Sequence, residues 1–184
     1  MAEIDRSVID GLRRGDEQAY VAVIDEMHRP VYRFLLRMSG DQCVAEDLTQ
    51  ETFLAVWQGV SSFQGRSKLK TWVFGIAYRQ FLRHRDKKVL QTVPLDDSRD
   101  EGDCEDPSAA ACRTEEKHRV REAVYCLPEL YREAVCMVHL DGLSYREAAE
   151  ALGIPVGTLK SRMSSAFQFL REKLGKREVE DEMR

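Results

Sequence analysis

The run from Ser144 to Leu174, SYREAAEALGIPVGTLKSRMSSAFQFLREKL, constrains this chain more than any other stretch. Ser144 has the chemistry of a helix N-cap, and Glu147, three residues on, completes a capping box. Gly153 stops that helix. Pro155 restarts the chain, because its fixed φ suits a helix opening and it has no N–H to leave unsatisfied. In the helix that follows, Leu159, Met163, Ala166 or Phe167, Leu170 and Leu174 recur at three- and four-residue intervals and face inward. Thr158, Lys160, Ser161, Arg162, Ser165 and Gln168 are left outward. With Ala148, Ala149 and Leu152 packing on the second helix, the stretch reads as a helix-turn-helix whose polar face fits a major groove. An ordinary αα-hairpin is the alternative reading of the segment alone.

At 184 residues the chain holds one domain or two small ones. A hydrophobic content of 43% beside 33% charged residues suits a soluble, helix-rich protein. No apolar run approaches the roughly 18 residues a membrane span needs, and the polar, acidic opening from Met1 to Asp10 is not a signal peptide. Both point to the cytoplasm and against membrane insertion. The five cysteines, Cys43, Cys104, Cys112, Cys126 and Cys136, form no CxxC pair, so they read as small core residues or idle thiols rather than a disulfide framework.

The net charge is −4, but its distribution matters more than its sum. Arg66, Lys68, Lys70, Arg79, Arg83, Arg85, Lys87 and Lys88 form one basic block. Lys160, Arg162, Arg171, Lys173, Lys176 and Arg177 form another. Between them, Asp96, Asp97, Asp100, Glu101, Asp103, Glu105 and Asp106 crowd a segment whose one base is Arg99. A protein that simply coated nucleic acid would have little use for that acidic spacer.

In chain order, Ile4, Val8, Ile9 and Leu12 mark a short helix ended by Gly15, and Asp16 caps a second through Ala19, Tyr20, Val23, Ile24 and Met27. Pro30 either kinks that helix or opens the next, through Val31, Phe34, Leu35 and Met38. Gly40 and Asp41 break it. In CVAEDLTQETFLAVWQGV, Val44, Leu48, Phe53 or Thr52, and Val56 face the core, and Glu46, Asp47, Gln50 and Glu51 make an acidic outer face, most simply a solvated one. Ser61 to Lys70 reads as a loop around Gly65, and Thr71 can cap the helix after it. There Trp72, Val73, Ile76, Ala77, Phe81 and Leu82 point inward, while Arg79, Arg83 and Lys87, four apart, repel by a few tenths of a kcal/mol each unless an anion neutralises them. Phe63, Trp72, Phe74 and Tyr78 interleave with the bases, a combination suited to single-stranded nucleic acid, although aromatics at helical spacing also serve as core. Val93 to Ala111 has almost nothing apolar to bury and reads as a flexible linker. Past it, Val120, Val124 and Leu127 lead to Pro128, and Leu130, Ala134, Val135 and Val138 make a helix ending near Asp141 and Gly142. GKREVEDEMR at the end is too charged to pack.

EDLTQETFLAVW, then SSFQGRSKLKTWVFGIA, then the acidic linker, then LPELYREAVCMVHLDGLSYREAAEALGIPVGTLKSRM resembles, in order and over nearly the whole chain, the extracytoplasmic-function (ECF) group of bacterial RNA polymerase sigma factors. The resemblance implies an all-α protein of two small helical domains joined by a flexible acidic linker. Residues 1–90 would bind core polymerase and recognise and melt the −10 element, 91–112 would link, 113–175 would read the −35 element, and 176–184 would form a charged tail. Asp47, Gln50, Glu51 and Trp57 would dock on the clamp of the largest polymerase subunit. Ser62, Phe63, Lys68, Lys70, Trp72, Tyr78, Arg79 and Arg83 would capture the −10 strands, the energy of unpairing being offset by gripping extruded bases. Gly157, Thr158, Lys160, Ser161, Arg162 and Ser165 would contact the −35 duplex. A cognate anti-sigma protein is a further implied partner. Arg79 and Arg83 depart from the usual Asn and acidic residue at those positions, and no Arg stands near Phe167.

No metal or cofactor is implied, and nothing points to an enzyme: there is no paired-carboxylate pocket, Gly-rich phosphate loop or Cys/His nucleophile. A regulator using the same helix-turn-helix without joining polymerase would leave the DLTQE and basic aromatic helices without a task. A metal or redox sensor built on Cys104, Cys112, His118 and Cys126 would have a spacing that matches no familiar zinc module.

Overall fold

The computed structural model describes residues 6–91 and 114–175, and every described element is helical. The acidic linker from 92 onward, the tail after Gly175, and the expectations placed on Ile4, Cys104 and Cys112 lie outside the described residues.

Four helices make the N-terminal part: α1 (Arg6–Arg13), α2 (Glu17–Ser39), α3 (Gln42–Gly59) and, after a 3₁₀ turn at Val60–Ser62, α4 (Leu69–Gln91). Asp16 caps α2 by accepting from the Gln18 N–H, and Asp41 caps α3 by accepting from the Val44 N–H. Gly40 closes α2 in the left-handed conformation at φ 70°, which an L side chain would resist. Pro30 lies inside α2, which runs continuously past it. The alternative of two helices divided at Pro30 is not what the chain adopts. Val23, Met27, Val31, Phe34 and Leu35 from α2 meet Leu48, Phe53 and Val56 from α3 and Val73, Phe74 and Ala77 from α4 in one apolar core. The Phe34 and Phe74 rings cross edge-on at 5.6 Å.

Two boundaries differ from the sequence reading. α4 begins at Leu69, not after Thr71: the Trp72 N–H already bonds the Lys68 carbonyl, and Thr71 is buried within the first turn. Burial of Leu69 pulled the helix start three residues earlier. The same helix continues to Gln91, one residue into the stretch assigned to the linker.

The C-terminal part comprises α5 (Thr114–Tyr125), α6 (Glu129–Val135), a π-helical turn at Cys136–Leu140, α7 (Tyr145–Leu152) and α8 (Val156–Leu174). The capping box at Ser144 and Glu147 forms in both directions, and Gly153 ends α7 at φ 68°. Ala148, Ala149 and Leu152 pack with Leu159, Met163, Ala166 and Leu170, completing the helix-turn-helix. The phase of α6 departs from expectation. Leu130 is exposed, whereas Glu133 is fully buried beside Ala134, Val135, Cys136 and Met137. A charged group can occupy such a position only when paired, and the partners of Glu133 supply that condition.

Candidate functional site

On α3, Asp47, Gln50, Glu51 and Leu54 stand three and four residues apart and share one face, lining a shallow hollow. All four are exposed. Leu54 is 56% exposed and Trp57, 37% exposed, continues the face, its ring 4.8 Å from that of Tyr20. The Tyr20 hydroxyl in turn donates to the Phe53 carbonyl at 2.8 Å, tying α2 to α3 beneath the patch. Among the described residues no hydrogen bond or ion pair engages the side chains of Asp47, Gln50 or Glu51. A row of unpaired acceptors beside two exposed apolar side chains can receive a basic, partly apolar partner surface. Sequence reasoning placed the acids and Trp57 but passed over Leu54.

The second surface is built from the loop after the 3₁₀ turn and from α4. Ser62 is exposed, its hydroxyl donating to the Gly59 carbonyl at 2.7 Å. Phe63 is buried and packs 5.0 Å from the half-buried Trp72 ring, so these two aromatics hold each other. Arg13 of α1 fixes the loop: its Nε and Nη2 donate to the Phe63 carbonyl at 3.2 and 2.7 Å. Nothing in the local pattern around Arg13 signals this, because the contact spans fifty residues. Arg79 and Arg83 are exposed. Partial burial and the like charge of Arg83 one turn on both push the Arg79 guanidinium below its ordinary pKa, the repulsion expected of four-residue spacing.

Lys68, Lys70 and Tyr78 are brought to this surface but are engaged by the C-terminal helices. Lys68 pairs with Glu147 at 3.2 Å. The Lys70 ammonium donates to the Asp141 carbonyl and lies 5.8 Å from the Phe74 ring centre, its pKa lowered by burial against the pull of Asp141 and Glu147. Tyr78 is buried and donates to Glu133 Oε2 at 2.6 Å. Burial raises its pKa, and the Glu133 carboxylate beside it raises it further.

The third surface is α8. Gly157, Lys160 and Ser161 are exposed, and Thr158 and Ser165 are half-buried. The Ser161 hydroxyl donates to the Thr158 carbonyl at 2.8 Å. Arg162 is not on the outer face where the sequence reading put it: its guanidinium turns inward and bonds Glu133 Oε1. The outer row is completed by Ser164 and Gln168, which line a shallow hollow with Arg171 and Glu172. Ser164 was missed because Ser165, beside it, was assigned the outward position, a helical phase error of one residue. Among the described residues no group of three or more His, Cys, Asp or Glu side chains converges as a metal site would require, and Cys126 and His118 are both exposed.

Two family models match the chain, Sigma-70 region 2 over residues 23–89 and Sigma-70 region 4 over residues 117–170. The ECF RNA polymerase sigma factor SigM of Bacillus subtilis is 35% identical over 166 residues, covering 86% of this chain and 99% of that one. SigW of the same organism is 30% identical over 176 residues, covering 90% and 94%. The chain is an ECF RNA polymerase sigma factor. Among solved structures, the sigma factor RpoE of Bartonella quintana, crystallised with the anti-sigma factor NepR, superposes with a TM-score of 0.69 at 26% identity, covering 85% of this sigma factor and 98% of that chain.

Region 2 spans most of α2 through α4 and therefore contains the α3 patch and the α4 surface, while region 4 spans α5 to α8 and contains the helix-turn-helix. As a sigma factor the protein binds core RNA polymerase and directs initiation at promoters. It is a specificity subunit with no chemistry of its own, and the reading as a free-standing regulator is not favoured. No helix of the described residues is long and apolar enough to cross a membrane.

Proposed function

We propose that the three surfaces divide the work of initiation. The α3 face of Asp47, Gln50, Glu51, Leu54 and Trp57 docks on the clamp of the largest polymerase subunit. The loop around Ser62 and Phe63, with Lys68, Lys70, Trp72, Tyr78, Arg79 and Arg83, captures the −10 strands. Gly157, Thr158, Lys160 and Ser161, joined by Ser164 and Gln168 on the same outer row, read the −35 duplex, and Arg162 holds α8 in place from within. The domains run as 1–90, 91–112, 113–175 and 176–184, with α4 overlapping the first boundary by one residue.

The observation that carries this reading is the α3 patch. Unengaged acids aligned with exposed Leu54 and Trp57 are poorly explained as mere solvation, because a solvated face gains nothing from exposing a leucine and a tryptophan. The Bartonella sigma factor is seen with an anti-sigma factor, which supports a cognate anti-sigma partner for this chain. Work on polymerase places the protein in the cytoplasm.

The combined substitutions Asp47→Ala and Glu51→Ala test the docking face. Neither side chain is buried, so folding should be unaffected, whereas affinity for core polymerase should weaken by about 2 kcal/mol, roughly thirtyfold in Kd. Equal affinity of variant and wild type in a titration of labelled protein against core enzyme would refute the assignment.

A further inference from the structure

The loop that leads from Ser62 and Phe63 into α4 is held by a residue outside the matched region 2. On its near side the loop is fixed locally: the Phe63 N–H bonds the Val60 carbonyl at 3.0 Å, and the Ser62 hydroxyl bonds the Gly59 carbonyl at 2.7 Å. Beyond Phe63, no hydrogen bond among the described residues engages Gln64, Gly65, Arg66 or Ser67 before α4 begins. The Phe63 carbonyl is therefore the last hydrogen-bonded point of the loop, and its donors are Nε and Nη2 of Arg13. The guanidinium sits in the bend itself, since a Cβ on Gly65, which turns at φ 70°, would lie 3.7 Å from Nη2. Its remaining nitrogen, Nη1, reaches Asp10 Oδ1 at 3.5 Å, one turn back on α1. α1 in turn is seated firmly on α2. Leu12 is buried, and the Asp16 N–H bonds the Gly11 carbonyl at 3.0 Å. A Cβ on Gly11 would come within 2.8 Å of the Ala19 Cβ, so the two helices meet where α1 has no side chain.

We propose that Arg13 is a positioning residue for −10 reading: from α1 it sets how the loop after Phe63 is presented, although it is not among the groups that grip the strands. It lies ahead of the region 2 match, which begins at residue 23. Two charged donors converging on one carbonyl fix its direction as well as its distance. Direction matters here, because a pocket discriminates among extruded bases only if its walls hold within roughly 0.5 Å of the productive geometry. A stretch with no hydrogen bonds of its own inherits that precision from its two ends. One end is the first turn of α4, where the Trp72 N–H bonds the Lys68 carbonyl at 3.1 Å. The other is the Arg13 contact. When the guanidinium is removed, the Phe63 ring stays buried against Trp72. The fold survives, while the freed carbonyl and the chain beyond it gain freedom to turn.

This inference rests on the assignment of the loop to the −10 strands, and the test separates the two. Holoenzyme assembled from core polymerase and the full chain transcribes a template library randomised across both the −10 and the −35 stretches, and the transcribed templates are sequenced. With the wild type, each stretch should show base preferences. Arg13→Ala should flatten the −10 preferences about tenfold, the loss of a charge-assisted contact, and leave those at −35 intact. Arg13→Lys keeps the charge but not the paired donors, and should lose most of the −10 preference as well. Gly11→Leu leaves the guanidinium in place but wedges α1 away from α2, and should reproduce the loss at −10. Unchanged −10 preferences in Arg13→Ala overturn the proposal. So do wild-type preferences in Arg13→Lys, because charge alone then suffices, and so does an equal loss at −35, which marks general damage to the fold. A wild-type holoenzyme with −35 preferences but none at −10 overturns the −10 assignment itself, and the role of Arg13 falls with it.

Discussion

Asp141 is the residue at which burial and pairing compete most openly. Its carboxylate faces Arg37 and Arg33 of α2 and Lys70 of α4, all of which favour the charged form, yet desolvation wins and its pKa rises from 3.8 to about 6. One oxygen bonds Arg37, and the other is buried with no hydrogen-bond partner. The sign follows from proton uptake. Between pH 4 and 6 the folded state holds a proton that the unfolded chain has lost, so this group's contribution is full below about pH 4 and lost as pH rises through 6. The shift corresponds to about 3 kcal/mol at most. Asp141→Asn, which mimics the protonated form, should therefore gain on the wild type in thermal melts as pH rises from 4 to 7, and parallel pH profiles would contradict the assignment. Sequence reading saw Asp141 only as a helix end, because its partners lie 71 and 104 residues away. Arg162 was misplaced for the same reason: it looks like an ordinary surface charge until Glu133, 29 residues away, is placed opposite it.

At the scale of elements, local chemistry was most readable where the chain's own neighbours satisfy it. The capping box at Ser144 is the clearest case, since both of its hydrogen bonds join residues three apart. Ser144→Ala removes the acceptor for the Glu147 N–H and should cost about 1 kcal/mol, seen as a lowered melting temperature; an unchanged one would show the cap to be dispensable. Asp16, Asp41, Gly40 and Gly153 were legible on the same grounds. The start of α4 was not, because Thr71 is as good a cap by type as any residue nearby and only tertiary burial of Leu69 settles the boundary. The π turn at Cys136–Leu140 also escaped the reading. It shifts the helical phase, and the Asp141 N–H bonds the Cys136 carbonyl, five residues back, at the point where Asp141 meets α2 and α4.

For the whole molecule, the order of motifs carried more than any one of them. The DLTQE helix, the basic aromatic helix and the helix-turn-helix each admit a structural explanation alone, and their succession points to a sigma factor. What no pattern could show is how the two regions sit together. The interface depends on side chains from α2, α4, α6 and α7 that are scattered over more than a hundred residues, and its polar members are individually indistinguishable from solvated charges. The central claim remains that this chain confers promoter choice on polymerase. It is tested most directly by run-off transcription with purified core enzyme on the upstream regions of the neighbouring and co-regulated genes. A discrete product that requires the chain and weakens with Asp47→Ala and Glu51→Ala is the predicted result; no chain-dependent product from any such template would contradict the account.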